Sequence, residues 1–570
     1  MAPAAAGGGL SEARLQYAGP NGLKGIIYNG KTSAIAFFAS LGGLVYGYNQ
    51  GMFAQVLAMP SFVRATNGYA ATTGIGQGFL TSILELGAWV GTLINGYLAD
   101  AVGRRFCAVI AVVVFCVGVI VQACTENKDY VLGGRFVTGL GVGSLSMIVP
   151  LYNAELAPPE VRGALVAVQQ LAITFGIMVS FWIGYGTNYI GGTGEVVGTT
   201  GIGQNKAAWL IPIAPALLLG AGMLLFMPQS PRHLMNQGRE QECLDTLARL
   251  RSKPTDDMGV RIEFLEIKAL REFEKQVSEA KYPHYQDGSF KSNFWIGFYE
   301  YTSLVTNPSL LKRSAIACLT MTFQQWNGIN AINYYAPFVF EGLVGGNTTN
   351  LLATGVVGII EFVFTIPAVL YVDKFGRKTI LIAGAIGMAS CHFIVAGIIG
   401  SYSGNWENHS SAGWAAIVFV WVFIANFAYS WGPVSWIIAS EVFPLSMRAK
   451  GVSLGGSANW LNNFAVGIST SPFIEASDYG TFIFFGCITT IAVLAVIFFW
   501  PETKGRTLEE MDELFGSGGF AQRDLEMKNR IERDIGLTAL LGYDNHESPM
   551  ETDEKLRDSN SEEMVEKREA

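Results

Sequence analysis

Charge is scarce in this 570-residue chain: Asp, Glu, Lys and Arg together make up 15% of it, against 50% hydrophobic residues. A soluble protein of that length needs more charge to stay in solution, so composition places the chain in a membrane. The mean hydropathy of +0.33 agrees. A net charge of −8 gives no support to a nucleic-acid partner. Cysteine is sparse too. The seven present (Cys107, Cys116, Cys124, Cys243, Cys318, Cys391 and Cys487) are odd in number, lack C-x-x-C spacing and fall mostly in apolar runs. They read as small core residues rather than a disulfide or metal framework. No Gly-rich phosphate loop, nucleophile triad or metal cluster is recognisable, so neither an enzyme nor a cofactor is expected. The N-terminal MAPAAAGGGLSEARLQYAGPNG lacks the charged-then-apolar pattern of a cleaved signal, which leaves insertion to the first apolar span.

What is present is a series of apolar stretches. Crossing a bilayer as a helix takes about 20 mostly apolar residues. About twelve segments qualify: 33–58, 78–99, 106–124, 131–153, 164–186, 208–227, 314–341, 351–372, 379–400, 414–440, 451–472 and 480–500. The fold class is therefore an all-α membrane protein. Lys and Arg orient it. With both termini cytoplasmic, the inner loops hold Arg104, Arg105, Arg162, Lys374, Arg377, Lys378, Arg448, Lys450 and the charge-rich 231–313 segment. The outer loops hold only Arg64, Lys128 and Lys206. The N-glycosylation patterns at Asn347 and Asn408 fall in outer loops under the same topology.

The chain also repeats itself. DAVGRRF after span two returns as DKFGRKT after span eight, at the same offset that separates PQSPR at Pro228 from PETKG at Pro501. Glu155-x-x-Pro158-x-x-x-Arg162 after span four returns as Glu441-x-x-Pro444-x-x-x-Arg448 after span ten. Two six-helix halves in the same orientation form a parallel repeat, a known transporter architecture. The divisions are then a cytoplasmic segment 1–32, an N-terminal half 33–227, a cytoplasmic helical linker 228–313, a C-terminal half 314–500 and an acidic cytoplasmic tail 501–570. Beyond Phe515 the tail is polar enough to read as disordered.

One stretch breaks the apolar pattern of span seven: QQWNGINAINYYAP, Gln324 to Pro337. At 100° per residue Asn327, Asn330, Asn333 and Tyr334 share a face about 120° wide. Gln324 and Gln325 do not join it unless the helix bends or unwinds, which costs least at Gly328. Broken helices line mid-membrane cavities in transporters. A sugar offers many hydroxyls, each donor and acceptor, and amides satisfy both without burying charge. Contacts to a sugar are expected for Gln324, Gln325 and Asn330. The competing reading is polar glue between helices.

In order along the chain stand YGYNQG, DAVGRR, GRFVTGLGVG, PEVRG, PQSPR, QQWNGIN, DKFGRK, SEVFP and PETKG. These motifs, with their spacing, resemble the sugar porter family of the major facilitator superfamily over about residues 33–510. Filamentous-fungal hexose transporters are a looser likeness, through LELGAWVG in span two. The resemblance implies a major facilitator fold and transport of a monosaccharide, most of all a hexose such as glucose, by alternating access across a plasma membrane. A sugar-acid or polyol transporter of the same fold and a non-transporting sugar sensor are the rival readings. Monosaccharide, protons and lipid are the partners it implies, with a monomeric protein.

Residue by residue, the resemblance puts Gln170 and Ile177 of span five, Trp436 of span ten, and Asn459, Trp460 and Asn463 of span eleven at the sugar. Trp436 would cover the apolar C–H patches of a pyranose, or else serve only the core. Glu361 departs from the family's usual asparagine; a carboxylate at that depth costs about 2.5–3.5 kcal/mol on insertion scales and is rarely idle. It counts among the expected sugar contacts. Asp100, Arg104, Arg105, Glu155, Arg162, Asp373, Arg377, Glu441 and Arg448 would form a conformational latch between the halves; positive-inside anchoring is the plainer alternative. Gln229 and Lys378 depart mildly from that pattern.

Proton coupling is the open question. Proton-coupled members of the family carry an aspartate where this chain has Asn49, opposite the arginine that matches Arg135. Glu85 of span two lies about seven residues, roughly 10 Å, from the outer end of its helix. It is expected to replace that aspartate as the partner of Arg135, directly or through Asn49, so that proton symport stands beside facilitated diffusion. A purely structural ion pair is the bland reading.

Overall fold

Backbone inside hydrocarbon must bond to itself, and for one chain segment only a helix achieves that. The computed structural model describes residues 27–71, 74–158, 162–192, 204–223, 228–285, 289–344, 347–371, 375–403, 405–444, 446–504, 511, 515 and 520–541. Among them the regular structure is helical throughout. Among the described residues, eight helices are long and apolar enough to cross a membrane by length and composition alone. The other four of the twelve spans are Gly30–Leu57, Ala207–Met223, the broken pair Pro308–Trp326 with Ile329–Val344, and Arg448–Ala476. Each escapes that measure for a visible reason. Span six is short as described, span seven is interrupted, and spans one and eleven carry glycine and amide side chains that the core needs.

The linker leaves span six and enters span seven, so its side of the membrane is fixed by connectivity. Spans one, three, five, seven, nine and eleven start on that linker side, and the even spans start on the far side. The linker folds as four helices, Pro231–Asn236, Glu240–Arg251, Met258–Lys281 and Phe290–Thr306. Apolar residues Leu234, Met235, Cys243, Leu247 and Val260 form their common core. Burial pushes the Cys243 thiol up to about 12, so it is a packing residue at neutral pH. The seven cysteines are all free thiols, and three are buried.

The linker grips both halves. Arg251 donates to the Leu156 carbonyl and the Thr32 hydroxyl, 3.0 Å each, on the N-terminal half. The Tyr301 hydroxyl donates to Ser453 at 2.8 Å on the C-terminal half.

The tail departs from the sequence expectation. Phe520–Asp534 is a helix, not disordered chain, and it lies on the linker helix Met258–Lys281. Ile531 packs with Ala269 and Phe273, joined by Met527 and Ile535. Its polar composition hid a single apolar stripe at helical spacing. Nearer the membrane, the buried Arg313 donates to the Val442 carbonyl at 2.7 Å and carries the Phe515 ring 4.6 Å from its guanidinium.

Candidate functional site

Span seven breaks where the sequence allows it. Asn327 ends the first helix with φ −73°, and Gly328 takes φ +94° before the second helix begins at Ile329. A side chain at Gly328 would be strained by that φ and would press on Phe485. The break turns Asn330 and Tyr334 toward the N-terminal half, while Asn333 faces Glu361 of span eight.

A chain of amides then runs across the two halves. Gln50 of span one donates to Asn330 Oδ1 at 2.5 Å, and Asn330 donates to Gln325 Oε1 at 2.5 Å. Tyr334 follows one helical turn later. Its hydroxyl lies 2.9 Å from Glu85 Oε1 and 3.0 Å from Asn463 Oδ1. One hydroxyl has one proton; it serves Glu85 if the Asn463 amide turns and donates to Tyr334 in its place. All six residues of the network are buried.

A second cluster lies behind the first. Gln324 donates to the carbonyls of Trp431 and Gly432 at 2.9 and 3.0 Å, and Asn459 donates to Gln324 Oε1 at 2.6 Å. The first of the two glutamines therefore spends its amide on the turn at Ser430 where span ten breaks. Gln325 is the one that faces the inter-half cluster.

The remaining sugar candidates surround this arrangement. Ile177 is buried beside Phe181 and Ala54. Gln170 and Trp436 are half-buried, and Trp436 stands against span eleven at Gly456. Glu361 is buried, faces Asn333, and leaves one carboxylate oxygen without a hydrogen bond within the protein. Sequence reasoning missed Gln50 and Tyr46. Tyr46 packs edge-on to Trp460 with ring centroids 5.1 Å apart. The signal for Gln50 was present, as one of three amides with Asn49 and Gln55 in span one, but its partner sits on a distant helix.

The expected Glu85–Arg135 ion pair is not formed. Arg135 donates instead to the Thr81 carbonyl at 2.6 Å and lies over the Phe53 ring at 3.5 Å. Asn49 does not bridge them either; neither of its side-chain polar atoms makes a hydrogen bond within the protein. Glu85 keeps one oxygen unbonded, as do Nε and Nη1 of Arg135. The buried carboxylate has given its contact to Tyr334.

The latch residues also pair differently. Glu155 binds Arg104 of span three at 2.9 Å and accepts from Ser230, while Glu441 binds Arg377 of span nine at 2.9 Å and accepts from Thr503. The two ion pairs lie within each half, and the hydroxyl donors come from the linker (Ser230) and the tail (Thr503); none of these ties joins the two halves. The looping chain brings the start of span three beneath the end of span four, a proximity that spacing along the sequence does not reveal. Arg105 is exposed. Arg448 is half-buried, with its Nε unbonded within the protein. The side chains of Asp100, Arg162 and Asn347, and all of Asp373, lie outside the described residues. Asn408 is exposed on the far side.

Hydrogen bonds directly between the halves follow one pattern among the described residues. Trp89 with Ser457 and Trp460 with Ser146 lie at mid-depth, then Gln50 with Asn330 and Glu85 with Tyr334, and Ser471 with Gln77 at the far end. At Gly78 the helices touch so closely that a Cβ would overlap the Ile468 carbonyl. The halves meet from the middle outward, so the far side is closed.

The family model described as Sugar (and other) transporter matches residues 35–515. The chain belongs to this sugar-transporter family. A quinate permease of Neurospora africana is 32% identical over 86% of this chain and 89% of its own length. The low-affinity glucose transporter HXT1 of Saccharomyces cerevisiae is 30% identical over 89% of this chain and 86% of its own. Among solved structures, the xylose transporter XylE from E. coli, in a partially occluded inward-open conformation, superposes with a TM-score of 0.67. It is 26% identical and covers 84% of this chain and 100% of XylE. This sugar transporter of the major facilitator superfamily is a multi-pass membrane protein and not an enzyme.

Proposed function

We propose that the protein carries a neutral monosaccharide, a hexose first of all, across a plasma membrane by alternating access, with the linker and both termini in the cytoplasm. The observation that carries this reading is the Gln50–Asn330–Gln325 chain together with Tyr334 and Asn463. These are uncharged groups, each able to donate and accept, drawn from both halves at mid-depth. A hydroxyl-rich neutral solute can replace every one of those mutual bonds with its own and so draw the halves together around it.

Glu361 supports a neutral cargo over an acid. Among the described residues the carboxylate has the Asn333 amide and Tyr46 near it, and the buried Arg135 is engaged with Thr81 and Phe53. An anionic substrate would meet a buried carboxylate with no cation beside it. The quinate permease among the relatives favours a cyclic acid as the second reading.

Competition against labelled glucose uptake in transporter-null cells tests this, with xylose, galactose, fructose, galacturonate and quinate as competitors. Strong competition by one or more neutral sugars and none by the two acids is expected. Uptake of quinate or galacturonate without glucose uptake would replace the hexose reading with the acid one.

A further inference from the structure

Behind the break in span seven stands a buried histidine. His392 lies in the middle of span nine, Arg377–Tyr402, about ten residues and roughly 15 Å from its far end. Its Nε2 is 2.8 Å from the carbonyl oxygen of Asn327. A carbonyl only accepts, so Nε2 carries the proton and the imidazole is the donor.

The geometry explains why that carbonyl needs a partner. In an unbroken helix the Asn327 oxygen would accept from the N–H of Ala331. Gly328 turns the chain aside with φ +94°, and the second helix starts anew, with Ile332 bonding the Gly328 carbonyl and Ile329 capped by the Asn327 side chain at 3.1 Å. The displaced carbonyl is buried in an apolar layer and would otherwise go unpaired. An orphaned group there costs about as much as a lost hydrogen bond and its solvation together.

The imidazole is itself held. Its ring centroid is 4.5 Å from Phe423, 6.0 Å from Phe482 and 6.1 Å from Phe485, the last nearly stacked at 30°. Phe485 is the same ring that fills the space beside Gly328. One span-nine donor and three aromatic rings from spans ten and twelve thus form a seat for the unwound turn.

We infer that His392 is a positioning residue for transport: it fixes the break in span seven, and through it the bearing of Ile329–Val344 on the N-terminal half. It touches no part of the central cluster. Its influence passes along the backbone from Asn327 to Asn330 and Tyr334, the residues that meet Gln50 and Glu85. Losing the seat frees the second helix of span seven to swing or to rewind, which loosens the closed far side.

The test compares His392→Ala, His392→Phe, His392→Gln and His392→Asn in the full-length protein at matched surface abundance. The Gln amide nitrogen reaches about as far from its backbone as the imidazole Nε2, whereas the Asn amide is one carbon short. Two readouts are taken: the KM and maximal rate of uptake, and labelling from the far side of a cysteine introduced at Ser471, in a background lacking the native exposed thiols. Ala, Phe and Asn are expected to cut the maximal rate about tenfold with KM changed less than threefold, and to raise far-side labelling by about the same factor. Gln is expected to restore both.

The labelling arm does not depend on which solute is carried, so failure of the sugar assignment leaves it readable. Wild-type behaviour of Ala would overturn the proposal. So would equal impairment of Gln and Ala. Should Ala not reach the surface, Gln against Asn decides: indistinguishable labelling and kinetics in those two would overturn it equally.

Discussion

The Tyr334 hydroxyl stands 2.9 Å from Glu85 Oε1, a bond between span seven of one half and span two of the other. Any motion that opens the far side must break it. Leaving a buried hydrogen-bonding group unpaired costs about 1–3 kcal/mol, enough to shift a two-state equilibrium by about tenfold. Tyr334→Phe is therefore expected to raise far-side labelling about tenfold while the protein still reaches the membrane. Unchanged labelling would mean that the contact does not hold the far side closed.

The same carboxylate tests energy coupling. If Glu85 carries the coupled proton, its release and capture accompany the breaking of the Tyr334 bond. Wild-type uptake should then fall as external pH rises and collapse with a protonophore, and Glu85→Gln should equilibrate sugar without accumulating it. Wild-type uptake that only equilibrates and ignores the proton gradient would assign Glu85 a structural role alone.

Gln50 and Gln325 flank Asn330 in one amide chain. Replacing either with alanine strands a buried partner, at a cost of about 1–3 kcal/mol. An increase in KM of roughly tenfold is expected for each. The double substitution should cost less than the sum of the two, because they share Asn330. Gln324→Ala should behave differently. Its amide holds the carbonyls at Trp431 and Gly432, so lowered surface expression is the expected result. A pure KM effect in Gln324→Ala would move it back to the sugar.

The two linker-side ion pairs are not equivalent. Glu155 is 2% exposed in its pair with Arg104, whereas Glu441 is 31% exposed beside Arg377. Removing one partner of a buried pair leaves an uncompensated charge and costs about 3–5 kcal/mol; a half-exposed carboxylate regains water. Arg104→Ala should lower the melting temperature of the purified protein more than Arg377→Ala does. Equal shifts would show that burial does not set the cost here.

Asn408 is exposed on the far side, opposite the linker. In a glycosylating host, Asn408→Gln is expected to remove one glycan's worth of mass from the wild-type band if the far side is extracellular. A protease site placed in the linker segment should be cut only after permeabilisation. Cleavage in intact cells would reverse the orientation.

Much of this was legible because periodicity and motif are local. The twelve apolar stretches, the parallel repeat and the weak point at Gly328 need only neighbours in sequence. Partners across helices did not show. Glu155 reads along the chain only as part of a latch, with no partner named; it meets Arg104, because helix packing brings the start of span three beneath it. Glu85 reads as the mate of Arg135 from depth alone. Depth fixes one coordinate, and the azimuth set by packing gave the carboxylate to Tyr334. A lone histidine in an apolar span has no pattern at all; His392 becomes legible only when the break it faces is seen.

The tail helix brings order of synthesis into the picture. Ala269 and Phe273 of the linker are covered by Ile531, which lies beyond the last membrane span. A nascent chain therefore finishes both halves and their insertion while that linker face is still bare. The turns that cover it leave the ribosome only after the last membrane span. A chain that stops early is thereby marked by an exposed oily stripe, and its completeness can be read from the surface.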